Sequence, residues 1–353
     1  MVLFMTAYEP ENSVLSEPVL VRVDRQDLTE SLHYGSAIIY HAQQGIIAAW
    51  GNPNKIIFPR SAMKPLQVFT ALSSGLDLSD EQIAFGCASH HAEKMHINLA
   101  KNWLDALNLS SEEHLACGPA LPQNQESLAD ILQNSSLKNP ETHSFSKRIY
   151  HGCSGKHCCQ LAFCHHNGWD IDGYYSPEHP AQHALFTQLE SLSDAPLAKI
   201  AIDGCSLPAP AMTLAGFGRA MAQLANPEKL SLAEKKAAMR IFESTTKFPF
   251  LTGGTLAPNS QMTYKSNATF FAKNGSEGVY ACIIPGSNCA VVLKMADGAM
   301  RAADTAIAGI LHDYCKILKI DPAGATPFAN HIMRNAAGSQ IGNTYWVGEK
   351  FNL

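Results

Sequence analysis

Charge is scarce on this chain. Asp, Glu, Lys and Arg make up 16% of its residues, and the formal net charge is −5. Lysine and arginine are dispersed, so no basic stripe exists to hold nucleic acid and no Lys/Arg cluster to hold a membrane surface. No uninterrupted apolar run approaches ~18 residues, so no membrane-spanning helix is expected. Residues 1–7 are apolar, yet no basic segment precedes them and Glu9 and Glu11 follow, which argues against a secretory leader. Internal repeats and long low-complexity segments are also missing.

What is present is core. The chain has 353 residues, 46% of them hydrophobic, enough for one large or two modest domains. Ten cysteines in so long a chain are not a disulfide scaffold. Free thiols in the cytoplasm fit better, some buried and some on a metal.

The hydrophobic pattern places strands towards both ends. Leu20–Val23 reads as a short strand. Residues 36–50 read as a hairpin turning at Gln43-Gln44-Gly45. Val279–Ile284 and Cys289–Lys294 form a second hairpin around Pro285-Gly286, and Gln340–Val347 a last strand. Helical spacing appears after Ser61 and over residues 93–107, 158–166, 179–192, 212–224, 232–244 and 299–318. Residues 248–267 read as loop. Residues 118–150 read as a polar span with a short helix at 127–132, a surface region or lid. The expected fold class is therefore α+β, in αβα layers. One antiparallel sheet from both hairpins forms a lobe over about 19–58 and 268–353, and a helical lobe covers about 59–267. A site belongs at their junction.

The chemistry gathers in Gly-flanked polar clusters at element ends, where catalytic residues usually sit. Phe58-Pro-Arg-Ser-Ala-Met-Lys-Pro65 holds a Ser-x-x-Lys pair. On a helix, positions i and i+3 share a face. A lysine whose pKa is depressed by burial can take the serine proton and make a nucleophile. The signal alone is weak, since Ser61, Ser135, Ser144 and Ser244 all match the pattern. Only Ser61 follows a proline and opens a buried apolar helix. The bland reading of Ser61 is an N-cap. Further clusters are Ser89-His90-His91, Cys153-Ser154-Gly155-Lys156-His157, Asp203-Gly204-Cys205 and Lys273-Asn274-Gly275. The bland readings are an exposed histidine pair at His90-His91, a helix cap at Ser154-Gly155, and ordinary turns at Asp203-Gly204 and Glu277-Gly278. Lys273-Asn274-Gly275 has the shape of the Lys-Thr-Gly element that accompanies Ser-x-x-Lys in β-lactamases. Cys158, Cys159 and Cys164 read as small core residues.

Six motifs in order resemble the bacterial L-asparaginase II family, the serine–lysine type. They are Phe58–Gln67, Cys87-Ala-Ser-His90, Cys153-Ser-Gly-Lys-His157, Asp203-Gly-Cys205, Lys273–Gly278, and Leu293–Gly298 with Arg301-Ala302. The resemblance covers nearly the whole chain from about residue 19. It implies a fold similar to glutaminases and serine β-lactamases, a homodimer, and hydrolysis of L-asparagine to aspartate and ammonia. It further implies two Ser–Lys tandems, Ser61 with Lys64 and Ser89 with Lys273. Arg60, His90, Asp203, Gly275 and Glu277 are implied at the substrate, with Arg60 and Asp203 on its charged α-groups. Cys153, Lys156 and Cys205 are implied to hold Zn²⁺, which two thiolates suit. The sequence departs from the pattern at two places. Ser-His is usually followed by Ser-Gly-Glu in the family, and here by His91-Ala92-Glu93. Residues 252–264 lack the expected Gly-Thr-Gly-Arg-like run. A glutaminase, a hydrolase of a larger amide, or a non-catalytic small-molecule or metal binder on the same scaffold are the competing readings.

Overall fold

The structure is a computed structural model that describes residues 17–134 and 145–350. Ser135, Ser144 and the centre of the 118–150 span lie outside the described residues.

Eleven strands are described. The large sheet contains β1 (Val19–Arg25), β2 (Leu28–His41), β3 (Gly45–Trp50), β7 (Phe271–Gly275), β8 (Val279–Ile284), β9 (Cys289–Met295), β10 (Asn330–Arg334) and β11 (Gln340–Trp346). A small sheet contains β4 (Ile56–Ile57), β5 (Lys199–Ile202) and β6 (Pro208–Thr213). The large sheet runs β10-β11-β1-β2-β9-β8-β7, with β3 also on β2, and every pairing is antiparallel. Strand β2 joins the two chain ends. Its first half pairs with β1, and its second half with β3 and β9.

Both faces of the sheet are dry at β8 and β9, which is why these strands read as continuous apolar runs rather than alternating ones. Ile38, Ile283 and Val292 face the helical side, where Phe217 and Met221 of the Leu214–Ala225 helix pack. Ile39, Ile284 and Val291 face the opposite side, against Ala303, Ile307 and Ile310 of the Met300–Asp313 helix. The expected αβα layering is therefore present.

The local expectations fail at identifiable points. Ser61 lies not in the first turn of an α-helix but in a 3₁₀ turn, Arg60–Met63, ahead of the helix Lys64–Ser73. Pro65 is at the start of that helix, where its missing N–H costs nothing. Strand β6 was hidden by Pro208 and Pro210. These residues pair only with β5, while β4 joins β6 further on at Met212 and Thr213, so proline sits where one edge is free. Within 248–267 there is a 3₁₀ turn, Pro249–Thr252, and a helix, Pro258–Tyr264. The last long helix breaks at Tyr314, between Met300–Asp313 and Cys315–Leu318.

Candidate active site

Strand β7 carries Lys273 and Gly275 at the end of the large sheet, against the Ser61 turn. Gly275 permits that approach, because an added Cβ would stand 2.7 Å from the Pro59 carbonyl and 2.8 Å from Ala62 N. The helix Lys64–Ser73 carries Lys64. The helix Asp80–Gly86, opened by a Ser79/Gln82 capping box, delivers Cys87–His91. The helix Ser154–Asn167, closed by Gly168, presents Lys156 beside Cys205, which follows β5.

These elements surround a cavity of about 300 Å³, lined among others by Ser61, Ser89, His91, His151, Cys153 and Gly275. At its base one hydroxyl joins two lysines. Ser89 Oγ is 3.1 Å from Lys64 Nζ and 2.9 Å from Lys273 Nζ. Lys64 also donates to the Ala88 carbonyl, and Lys273 to the carbonyl and side-chain oxygen of Asn274, at 2.6 and 2.8 Å. Both amines are fully buried. Burial pushes the Lys64 pKa down. It pushes Lys273 well down, and the neighbouring Lys64 charge adds to that. A neutral amine is thereby favoured.

Ser61 is 9% exposed at the cavity wall. Among the described residues, neither its hydroxyl nor its backbone N–H has a hydrogen-bond partner. The expected Ser61–Lys64 hydrogen bond is thus not formed, and Lys64 engages Ser89 instead. Arg60, just before Ser61, holds φ at 51°, a left-handed conformation costing a non-glycine residue roughly 1 kcal/mol. Two bonds from its guanidinium to one oxygen of Asp203, at 3.1 and 2.6 Å, brace it. The structure pairs Arg60 and Asp203 with each other, and Asp203 also takes the Gly204 N–H at 2.7 Å.

His90, implied at the substrate, lines the cavity, whereas Glu277 does not. His90 is 1% exposed. Its Nδ1 accepts from Ala92 N–H at 3.1 Å, which leaves Nε2 to donate to Ser154 Oγ at 2.8 Å. Its ring stacks on His96. Both nitrogens are occupied in holding the wall together, and burial keeps the ring neutral. Glu277 turns the chain between β7 and β8 with φ at 63°. Its carboxylate lies over Gly298, not in the cavity.

The three residues implied for a metal do meet. Lys156 Nζ is 3.0 Å from Cys205 Sγ, and the Cys205 thiol hydrogen-bonds Cys153. That bond, with Lys64 and Lys156 nearby, holds Cys153 well below the ordinary thiol range. The same bond, with burial, pushes Cys205 up. Burial opposes a charge on Lys156, but the two sulfurs outweigh it and raise its pKa. Among the described residues no three His, Cys, Asp or Glu side chains gather as a metal cluster. Zn–S and Zn–N lengths at a tetrahedral angle set sulfur and nitrogen about 3.6 Å apart. The donor set fits Zn²⁺ if the pair opens by about half an ångström and Lys156 gives up its proton.

Sequence reasoning missed two parts of the site. The Ala88 carbonyl anchors Lys64 and leaves no mark in residue identity. Cys153 stands beside Lys64 as well as Cys205, a link visible only once both clusters share one cavity.

A crystal structure of a β-lactamase from Mycobacterium bovis superposes with a TM-score of 0.42 at 16% identity, over 79% of this chain and 94% of that one. One of a putative β-lactamase from Bacteroides dorei gives 0.40 at 13% identity, over 74% and 84%. A search of curated proteins returns no match. The profile of the family described as L-asparaginase II matches residues 21–346, nearly all of the chain, and the chain belongs to that family.

Proposed function

We propose that the chain hydrolyses the side-chain amide of L-asparagine to aspartate and ammonia by serine–lysine catalysis. The observation that carries this reading is the Ser89 hydroxyl held between two buried lysines, on the same cavity as the unengaged Ser61 hydroxyl. Ser61 attacks the amide carbon. Its proton passes to the neutral amine of Lys64, whose present partner is Ser89; such contacts commonly tighten only with substrate bound. The Ser61 N–H, free of any backbone acceptor, suits the developing oxyanion. Ser89 and Lys273 relay the proton that releases ammonia, and water then frees aspartate from the acyl-serine. Arg60 and Asp203 orient the α-groups.

Cys153, Cys205 and Lys156 would hold zinc, which when bound supplies a positive charge that helps orient the substrate. A homodimer in the cytoplasm completes the reading. All ten thiols are unpaired, in keeping with a reducing compartment, and no described helix is long and apolar enough to cross a membrane. The cavity is at the small end of the ligand-site range, which favours a free amino-acid amide over a larger one.

The test is ammonia release from L-asparagine and L-glutamine, by wild type and Ser61→Ala, with zinc assayed on the same samples. Activity on asparagine that Ser61→Ala abolishes is expected. A wild type inert to both amides overturns the assignment.

A further inference from the structure

His91 stands where three cavity-forming segments meet. Its N–H donates to the Gly253 carbonyl at 2.8 Å, and its carbonyl accepts from Asn124 N–H at 2.9 Å. Two residues earlier, Ser89 N–H donates to the Thr252 carbonyl at 3.0 Å. The segment carrying the shared serine is thus laced to the 252–255 loop, and the 120–124 loop closes on its other side. Gly254, with φ at 144°, lets the loop lie against the ring. An added Cβ there would stand 3.3 Å from His91 Nδ1 and 2.6 Å from Glu93 Oε1. Glu93 is held in turn by the backbone N–H and hydroxyl of Thr255, at 2.7 and 3.1 Å.

The main chain at His91 is therefore fixed, while its ring is uncommitted. The residue lines the cavity with Ser61 and Ser89, and among the described residues neither ring nitrogen has a hydrogen-bond partner. This sets it apart from its neighbour His90, whose nitrogens are both used. Burial lowers the His91 pKa; Glu93 opposes that and Lys273 adds to it. At neutral pH the ring offers one donor and one acceptor, which an amino acid's α-carboxylate and α-ammonium can each meet.

We propose that His91 is a specificity-determining residue: from the wall beside Ser89 it hydrogen-bonds an α-group of the substrate and so selects the single methylene of asparagine over the two of glutamine. This rests on the amidohydrolase reading above. With the α-group anchored at one point and Ser61 at another, the spacing between them admits one chain length. A misfit of one methylene is worth about 10–200-fold in kcat/KM.

The experiment compares wild type, His91→Ala and His91→Gln on both amides. In His91→Ala, kcat/KM for asparagine is expected to fall at least about tenfold, mostly through KM, with glutamine changed less than about threefold. His91→Gln, which keeps a donor and an acceptor, recovers part of the loss. Equal losses on both amides, or an unchanged preference, overturn the inference. Calorimetric binding of L-aspartate and L-glutamate to the same proteins separates this from failure of the proposed reaction. If wild type hydrolyses neither amide, a wild-type preference for aspartate that His91→Ala abolishes still upholds the role. Equal affinity for the two acids, or binding of neither, refutes it.

Discussion

Alanine at each serine should separate catalysis from stability. The Ser61 hydroxyl bonds to nothing among the described residues, so Ser61→Ala removes no folded-state interaction. Its stability cost should stay within about 0.5 kcal/mol, as for a substitution away from any packed or bonded feature. As the nucleophile, its loss should lower kcat by about 10⁴–10⁶-fold. Ser89 is the reverse case. Its oxygen serves Lys64 at 3.1 Å and Lys273 at 2.9 Å, so Ser89→Ala deprives two buried amines at once. Each keeps another acceptor, the Ala88 carbonyl for Lys64 and both Asn274 oxygens for Lys273. The loss is therefore two ordinary hydrogen bonds, about 1–3 kcal/mol in total, and not two orphaned charges. As a proton relay, Ser89 should contribute about 10²–10⁴ to the rate. Urea unfolding and ammonia release on both variants read the two quantities. An active Ser61→Ala beside a dead Ser89→Ala would reverse the roles and refute the reasoning.

Four further outcomes are expected. The rate should need a neutral lysine, so kcat/KM should fall on the acid side at a pH well below the ordinary lysine pKa. Lys64→Met removes a repulsion that lowers Lys273, so any remaining activity should lose its acid limb at higher pH; a limb that stays put or moves down contradicts the coupling. His96 donates to the Phe250 carbonyl at 3.0 Å, and burial pushes its pKa down to about 4. Its contribution is complete above about pH 6.5 and is lost as pH falls through about 4, on the order of 3 kcal/mol; urea midpoints at neutral and acid pH, with and without His96→Gln, measure it. Gly275→Ala should push β7 from the Ser61 turn, costing about 1–3 kcal/mol and most of the activity, whereas an unchanged unfolding midpoint would mean the turn yields freely. If zinc occupies Cys153, Lys156 and Cys205 as proposed, chelation should release it in step with the two thiols Cys153 and Cys205 becoming reactive to a thiol reagent, and Cys205→Ser should abolish retention; protein purified without zinc would refute the site.

The parts legible in the sequence were those set by local signals. Two apolar runs around Pro285-Gly286 give the β8–β9 hairpin. Parts set by tertiary pairing were not legible. Residues 330–334 form β10 only because β11 lies beside them, and β6 hides its pairing behind two prolines. The site divides in the same way. Residue types and order named the side chains that the structure gathers, since Lys64 and Lys273 sit among apolar residues where a charge is costly. Who bonds whom was not disclosed. The reach of Lys64 to Ser89 rather than Ser61 depends on the 3₁₀ turn and on the Ala88 carbonyl. The engagement of His90 depends on Ala92 adopting φ of 57°, which brings its N–H back to the ring.

The depressed lysines also make the site selectively open to covalent chemistry. At neutral pH an ordinary lysine is unprotonated in roughly one molecule in 2,500, and an acylating or aldehyde reagent finds few free amines on the surface. Lys64 and Lys273 depart from that rule together, but their amines lie buried behind Ser89 and do not line the cavity. An electrophile shaped like a short amino acid would meet a serine hydroxyl in the cavity, with a nucleophilic amine one hydrogen bond behind it. Modification of either lysine would report which amine carries the free lone pair.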